Sequence, residues 1–383
     1  MWYADELEKA ALNAMPGAFL NGTMWSLMYF QQINKLDAMD GGAENCEHGC
    51  TYCYGMVYEC CVANHMQGWP KFAARQWAIG QSPGKKPTLA LTQYFPSSIA
   101  NIDVTPGSTV SVNISTAYPF SSDIKLSVAA SGPFTLELRI PGWCSNATFS
   151  VGGGKARQKR PTTPVAAGTM LSIAMASGQT AVMLTLPMAA RLVPASGPAE
   201  GGGASGAGSV AVMRGPLLYA APRTIAAHDH APAYDDAPGL LPVGQPHGQD
   251  NYLLGGGEWR HALHAGGALL EEERPSATVE QLPPLGQGVF SSALVPGPVV
   301  VASAVVLSEL EWGERTNVIE GDSSRPCGNT TSLPSYQHTV AAAPPGSPVN
   351  GGSGTKTTSL RLIPYGATDL RVAVFPTAGG PLN

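Results

Sequence analysis

Charge is what this chain has least of. Only 13% of its 383 residues are Asp, Glu, Lys or Arg, against about 25% in ordinary soluble domains. With 22 cationic and 27 acidic side chains and a net charge of −5, no basic surface is available to neutralise phosphates, which argues against a nucleic-acid partner. The one dense cationic run, residues 155–160 (KARQKR), follows a Gly-rich turn and reads as a solvated loop. No stretch approaches the length of about 20 apolar residues that crosses a bilayer, so no membrane anchor is expected. The glycines at 201–208 (GGGASGAG) are followed by no Lys-Ser/Thr and open no helix, so they are not a phosphate cradle. No signal-peptide pattern opens the chain, because Met1 runs straight into an amphipathic stretch.

The place of charge is taken by 45 Gly and 33 Pro, a composition of turns, short strands and long loops. A hydrophobic content of 44% is enough for real cores, and 383 residues predict two or three domains. The seven cysteines are Cys46, Cys50, Cys53, Cys60, Cys61, Cys144 and Cys327. Sequons at Asn21, Asn113, Asn146 and Asn329 lean toward a secretory or extracellular setting.

Along the chain the pattern changes once. Residues 4–15 (ADELEKAALNAM) place Leu7, Ala11, Ala14 and Met15 on one helical face that needs a partner helix, and Pro16 stops the pattern. Residues 23–36 fit either a helix or an extended aromatic segment. A loop at 41–54 carries Cys46, Cys50 and Cys53, which with His48 suit a small metal knuckle or, the favoured reading, a local disulfide. A second helix is expected over residues 64–77. After Gly80 the chain becomes short alternating runs split by Pro, Gly and Ser, the signature of antiparallel sandwiches. Strands are expected near 88–95, 109–115, 124–129, 134–140, 147–151, 170–175, 181–186 and 209–213. Residues 195–208 read as a flexible insert. Residues 221–298 read as low in order, with His228, His230, His247, His261 and His264 as solvated loop side chains rather than metal ligands. Strands resume at 299–307, 357–363 and 370–375, around another insert at 341–356, and form a second β domain.

The chemistry concentrates in residues 58–71 (YECCVANHMQGWPK). Adjacent cysteines rarely bridge each other: neighbouring Cα atoms lie about 3.8 Å apart, whereas disulfides want about 4.4–6.8 Å. Two thiolates on one tight turn suit a soft metal such as zinc. Asn64 reads as the N-cap of the following helix, whose N-terminal field favours a thiolate. The alternative is a pair of inert buried thiols. Glu59, His65 and His48 are further local ligand candidates.

Taken in order, DELEKAALNAM, the CCVAN turn, LELRIPGW at 136–143, VAVMRGPLLYA at 210–220 and LIPYGATDLRVAVFP at 362–376 resemble glycoside hydrolase family 127 over nearly the whole chain. That resemblance implies a mixed fold, α then β. Residues 1–87 would be the C-terminal remnant of a catalytic (α/α)6 barrel, 88–222 a first antiparallel β-sandwich and 223–383 a second one with disordered inserts. It also implies a retaining β-L-arabinofuranosidase acting on plant or algal cell-wall glycans or glycoproteins. Cys60 would be the zinc-bound nucleophile, Cys61 a second Zn2+ ligand, and Asn64 and His65 would border the carbohydrate substrate. Val62 and Ala63 stand where the family carries two prolines, which makes this a divergent turn. The family's remaining zinc ligands and its acid/base glutamate fall upstream of the first helix, so the resemblance implies a missing N-terminal barrel segment, without which this chain would be inactive. The competing reading is a non-catalytic carbohydrate-binding or vestigial β-sandwich protein, with Tyr94, Tyr118 and Trp143 as sugar-stacking candidates or, more simply, core.

Overall fold

The computed structural model describes residues 1–20, 27–28, 31, 33–38, 52, 64–80, 87–152, 163–195, 208–232, 249–272, 298–307, 314–318, 337–341 and 357–378. Strands dominate these residues and helices are few. The chain divides into two compact units: one of residues 1–11, 67–189 and 214–217, the other of residues 12–66, 190–213 and 218–383.

In the first unit the strands are β1 (Trp77–Gly80), β2 (Thr88–Leu91), β3 (Ser97–Thr105), β4 (Ser108–Thr116), β5 (Asp123–Ala130), β6 (Phe134–Ile140), β7 (Ala147–Gly152), β8 (Thr163–Val165), β9 (Thr169–Met175) and β10 (Gly178–Thr185). They form a four-stranded sheet, β1-β2-β6-β9, and a six-stranded sheet, β3-β4-β5-β10-β7-β8. Period-two alternation builds the core between them. Val110, Val112 and Ile114 from β4, with Ile124, Leu126 and Val128 from β5, meet Leu89, Leu136 and Leu138 of the other sheet. Each such side chain contributes about 1.5–3 kcal/mol on burial. The alternate residues, among them Asn113, Lys125 and Ser127, face solvent. One pairing departs from the expected antiparallel pattern: β2 runs parallel to β6, with Leu89 opposite Leu136. The long excursion through β3, β4 and β5 supplies the crossover that a parallel pair requires.

The helices differ from expectation in length and in face. Helix α1 (Trp2–Lys9) passes into a wider π turn at Ala10–Ala14. Leu7 is 44% exposed, whereas Glu8 is buried with Ala11, Leu12 and Asn13. An eight-residue helix without a side-chain cap is marginal alone, so tertiary contacts must hold it. Residues 64–66 are helical and helix α2 covers Gly68–Ala74. Pro70, in the first turn, has no amide that the helix would use. The helix stops short of the expected Trp77, which opens β1 opposite Leu91. The Thr92 hydroxyl donates to the carbonyl of Arg75 at 2.7 Å, and Phe72 packs on Phe95 with ring centroids 5.8 Å apart.

The strands of the second unit are β11 (Ala190–Pro194), β12 (Val210–Arg214), β13 (Leu217–Pro222), β14 (Thr224–Pro232), β15 (Gln249–Gly256), β16 (His261–His264), β17 (Leu269–Glu272), β18 (Val299–Val306), β19 (Glu314–Val318), β20 (Gln337–Ala341), β21 (Thr357–Pro364), β22 (Arg371–Val372), β23 (Val374–Phe375) and β24 (Thr377–Ala378). The main sheet runs β11-β12-β13-β21-β18-β16-β24, with β17, β22 and β23 alongside, and β14–β15 and β19–β20 pair separately. β14 to β17 lie where the sequence read as low in order. Its histidines and glycines mask a strand pattern that cross-strand pairing stabilises, and His261 is buried in β16 rather than solvated. Within residues 23–36, the described positions are extended where they pair. Leu27 bridges Phe19, and Lys35 bridges Arg371.

Candidate functional site

Cys60 and Cys61, like Glu59, His48 and the Cys46, Cys50 and Cys53 group, lie outside the described residues. Two neighbours do not. Asn64 is exposed. His65 is half-buried, its ring meeting Phe19 edge-on with centroids 5.4 Å apart. Burial lowers its pKa below the usual histidine value, a hydrogen bond with the Met15 backbone opposing in part, so the imidazole is held neutral. Its Nε2 is buried with no hydrogen-bond partner among the described residues. A neutral imidazole with one committed edge and one free nitrogen can take a proton, donate one or ligate a metal. Among the described residues no group of three His, Cys, Asp or Glu side chains could hold a metal ion.

What the described residues show in detail is how the chain leading to the cysteines is anchored, and the shared motifs do the anchoring. RIPGW, residues 139–143, begins at the end of β6. Alternation turns Leu136 and Leu138 into the core and leaves Arg139 on the outer face of the sheet, where α1 covers it completely. The guanidinium donates to the Thr92 carbonyl and to Asp5 Oδ1, and reaches Glu8 Oε1 at 2.9 Å. Asp5 Oδ2 accepts the Gly142 amide at 3.0 Å. A Cβ at Gly142 would lie 2.9 Å from that oxygen, so the close approach needs glycine. The Tyr118 hydroxyl donates to Glu8 Oε1 at 2.6 Å, Tyr94 donates to the Arg139 carbonyl, and Gln93 donates to the Ala4 carbonyl at 3.2 Å. Asp5 and Glu8 stand three residues apart, on one helical face, and both side chains grip one fork of donors.

Two further motifs act in the same way in the second unit. The Leu218 amide of RGPLLYA donates to Asn13 Oδ1 at 2.7 Å. Within the same motif Gly215, which belongs to the first unit, holds φ at +55° against Met188, a left-handed position suited to glycine. From LIPYGATDLRVAVFP, the buried Arg371 donates to the carbonyls of Gly17 at 3.1 Å and Thr368 at 2.7 Å, and to Gln31 Oε1 at 2.9 Å. It also lies 3.7 Å from the Tyr365 ring centroid. Asn34 accepts the amides of Ala373 and Val374 at 2.8 and 3.0 Å and donates to the Val374 carbonyl at 3.1 Å. Lys35, 1% exposed, donates to the Tyr52 hydroxyl at 2.5 Å, and that hydroxyl donates to the Asp369 carbonyl at 2.8 Å. Burial, and the neighbouring Arg371, hold the Lys35 pKa well below the ordinary lysine range.

Sequence reasoning missed these anchors, although signals existed: an arginine in an apolar strand, and carboxylates at i,i+3 on the preceding helix. The sugar-stacking candidates fall into place as core. Tyr94 and Tyr118 are 3% and 4% exposed, and Trp143 packs against the sandwich interior.

Residues 88–188, the span from β2 to just past β10, match the family model described as Beta-L-arabinofuranosidase, GH127 middle domain. No curated protein matches the sequence. Solved structures share the fold over 98% of this chain. One is titled a glycoside hydrolase (16% identity, TM-score 0.55), one is a GH127 β-L-arabinofuranosidase from Geobacillus stearothermophilus (20%, 0.52) and one a GH127 β-arabinofuranosidase (20%, 0.54). This chain covers 48%, 46% and 45% of those chains respectively, somewhat under half of each. The likeness to glycoside hydrolase family 127 that the motifs carry is therefore borne out, most specifically in the first sandwich.

Proposed function

We propose that this chain is the C-terminal portion of a retaining β-L-arabinofuranosidase-like glycoside hydrolase with a cysteine nucleophile. The observation that carries this reading is the family-model match over residues 88–188. It is supported by the motif residues, which pin the segment on the way to the cysteine pair rather than serving the sandwich core alone. In this reading residues 1–87 are the end of an (α/α)6 barrel, and the β strands of 88–222 and 223–383 form two sandwiches. Met1, Trp2, Tyr3 and Leu7, 40–81% exposed, form an apolar surface on α1 of the kind that partner structure normally covers. An upstream barrel segment is that partner.

Cys60 attacks the anomeric carbon of an arabinofuranoside as thiolate. The C–S bond forms as the glycosidic C–O bond breaks, and a glutamic acid of the upstream segment protonates the leaving oxygen. Water, deprotonated by the same carboxylate, then displaces the sulfur, with overall retention. Zinc suits the donor set of Cys60 and Cys61, and its contribution when bound is to keep the thiol ionised at neutral pH. His65 borders the substrate and offers Nε2; Asn64 lies beside it.

The test is hydrolysis of an aryl arabinofuranoside by this chain with its upstream segment attached. The reading predicts turnover that Cys60→Ser abolishes while the circular dichroism spectrum stays unchanged. Turnover that survives in the variant overturns the nucleophile assignment, and sugar binding without turnover in either protein favours the non-catalytic alternative.

A further inference from the structure

The buried seat of α1 holds more negative than positive charge. Facing Glu8 are Arg139 from β6, Tyr118 from the turn after β4 and Asp5 from α1 itself, with Tyr94 on the far side of Arg139. Lys9, the next cation on the helix, is half-buried and pairs with Glu6 instead. The single guanidinium is already engaged by Asp5. Glu8 is 1% exposed, and its two oxygens are unequal: Oε1 receives Tyr118 and Arg139, whereas Oε2 is buried with no hydrogen-bond partner among the described residues. An ionised carboxylate spreads its charge over both oxygens and would leave half of it on a buried oxygen with no donor among the described residues. A neutral acid, with the proton on Oε2, trades that charge penalty for the smaller cost of one buried hydroxyl and keeps Oε1 as acceptor.

We infer that Glu8 sits in this seat as a neutral carboxylic acid, so that docking of α1 onto the sandwich takes up a proton and tightens as the pH falls. The direction of its titration agrees: burial raises the Glu8 pKa above its ordinary value of 4.5, outweighing Arg139 and Tyr118. In the undocked chain Glu8 ionises at that ordinary value. Between the two values the docked state binds one more proton than the undocked state, so docking weakens as pH rises through the window and is constant above it. The device makes the hold on the N-terminal helix stronger in acidic surroundings, and it stands or falls independently of the glycosidase reading.

Hydrogen exchange of the α1 amides in the full chain, corrected for intrinsic rate, reads the docking directly. In the unaltered protein the protection of residues 4–11 should fall as the pH rises from 4.5 through the raised folded value of Glu8, and level off above it. Glu8→Gln, which keeps an acceptor at Oε1 without a charge, should show the high protection at every pH. Retention of the full pH slope in Glu8→Gln overturns the inference. A second measurement does not depend on that variant folding: with carbonyl-labelled glutamate, infrared spectroscopy of the unaltered protein over a pH series should show one protonated-carboxyl band that persists above the pH at which ordinary glutamates have ionised. Absence of that band overturns the inference as well.

Discussion

Glu8 on α1 and Arg139 at the end of β6 meet at 2.9 Å, each with at most 1% of its surface exposed. They lie 131 positions apart in sequence, so this contact, with Asp5 alongside, is what converts a marginal eight-residue helix into a fixed part of the sandwich unit. It also gives the RIPGW motif a physical meaning. Arg139 is the fork, Gly142 makes room for Asp5, and Trp143 closes onto the core.

Removing the fork should therefore be costly. Arg139→Ala leaves Asp5 and the Glu8 acceptor oxygen without their shared donor, and each stranded buried group costs about 1–3 kcal/mol. Arg139→Lys should recover only part of that loss, because an ammonium cannot serve Asp5, Glu8 and the Thr92 carbonyl from one plane. Denaturant unfolding followed through the aromatic signal of the sandwich checks both values. Stability within error of the unaltered protein would show that α1 is not held in this way.

Asn34 is a smaller anchor with a clear expectation. Its side chain satisfies two amides and one carbonyl of the segment around β23. Asn34→Ala leaves these three groups without that partner, a loss of about 3 kcal/mol or more at roughly 1–3 kcal/mol for each stranded group. Asn34→Asp should retain the two accepted amides and lose less. The unfolding midpoint of the second unit is the readout.

Lys35 predicts a pH dependence of opposite sign to that of Glu8. Its folded pKa lies well below the ordinary value of 10.5, through burial first and Arg371 second. Within that window the folded state has released a proton that the unfolded state still holds, so stability rises with pH until the unfolded lysine also titrates. Lys35→Met, which keeps much of the volume without the charge, should flatten this rise and stabilise the second unit most at low pH. A rise that persists in the variant would assign it to another group.

For the metal, Cys61→Ser should lower the zinc retained after dialysis against a chelator in the protein with its upstream segment. The single thiolate left at Cys60 is a weaker soft donor set than the pair. Zinc content equal to that of the unaltered protein would remove Cys61 from the ligand set.

How much of this was legible in the sequence depends on which forces act locally. The strands of the first sandwich were, because alternation of Val, Ile and Leu with Ser, Thr and Lys is a local signal: residues 109–115 were expected and Ser108–Thr116 is observed. The parallel pairing of β2 with β6 was not, since alternation says which face a residue takes and nothing about which strand lies beside it. The α1 face was misread for a related reason. Hydrophobicity alone favours burying Leu7, but Glu8 is the residue with partners waiting. Strands β14 to β17 were hidden by histidine, glycine and proline, whose strand pairing is set by neighbours distant in sequence. The Cys60–Cys61 pair, singled out by spacing and family likeness, lies outside the described residues, whereas the contacts that Arg139, Asn13, Asn34 and Arg371 make depend on tertiary structure and left only faint traces in the sequence.

Cys60 is proposed to form the bond to the sugar. The most direct measurement is the mass of the peptide containing residues 58–71 after the protein with its upstream segment is incubated with a slowly turned-over activated arabinofuranoside. The account predicts a single pentosyl adduct on Cys60, absent in Cys60→Ser. An adduct on a carboxylate, or turnover with none at Cys60, would contradict it.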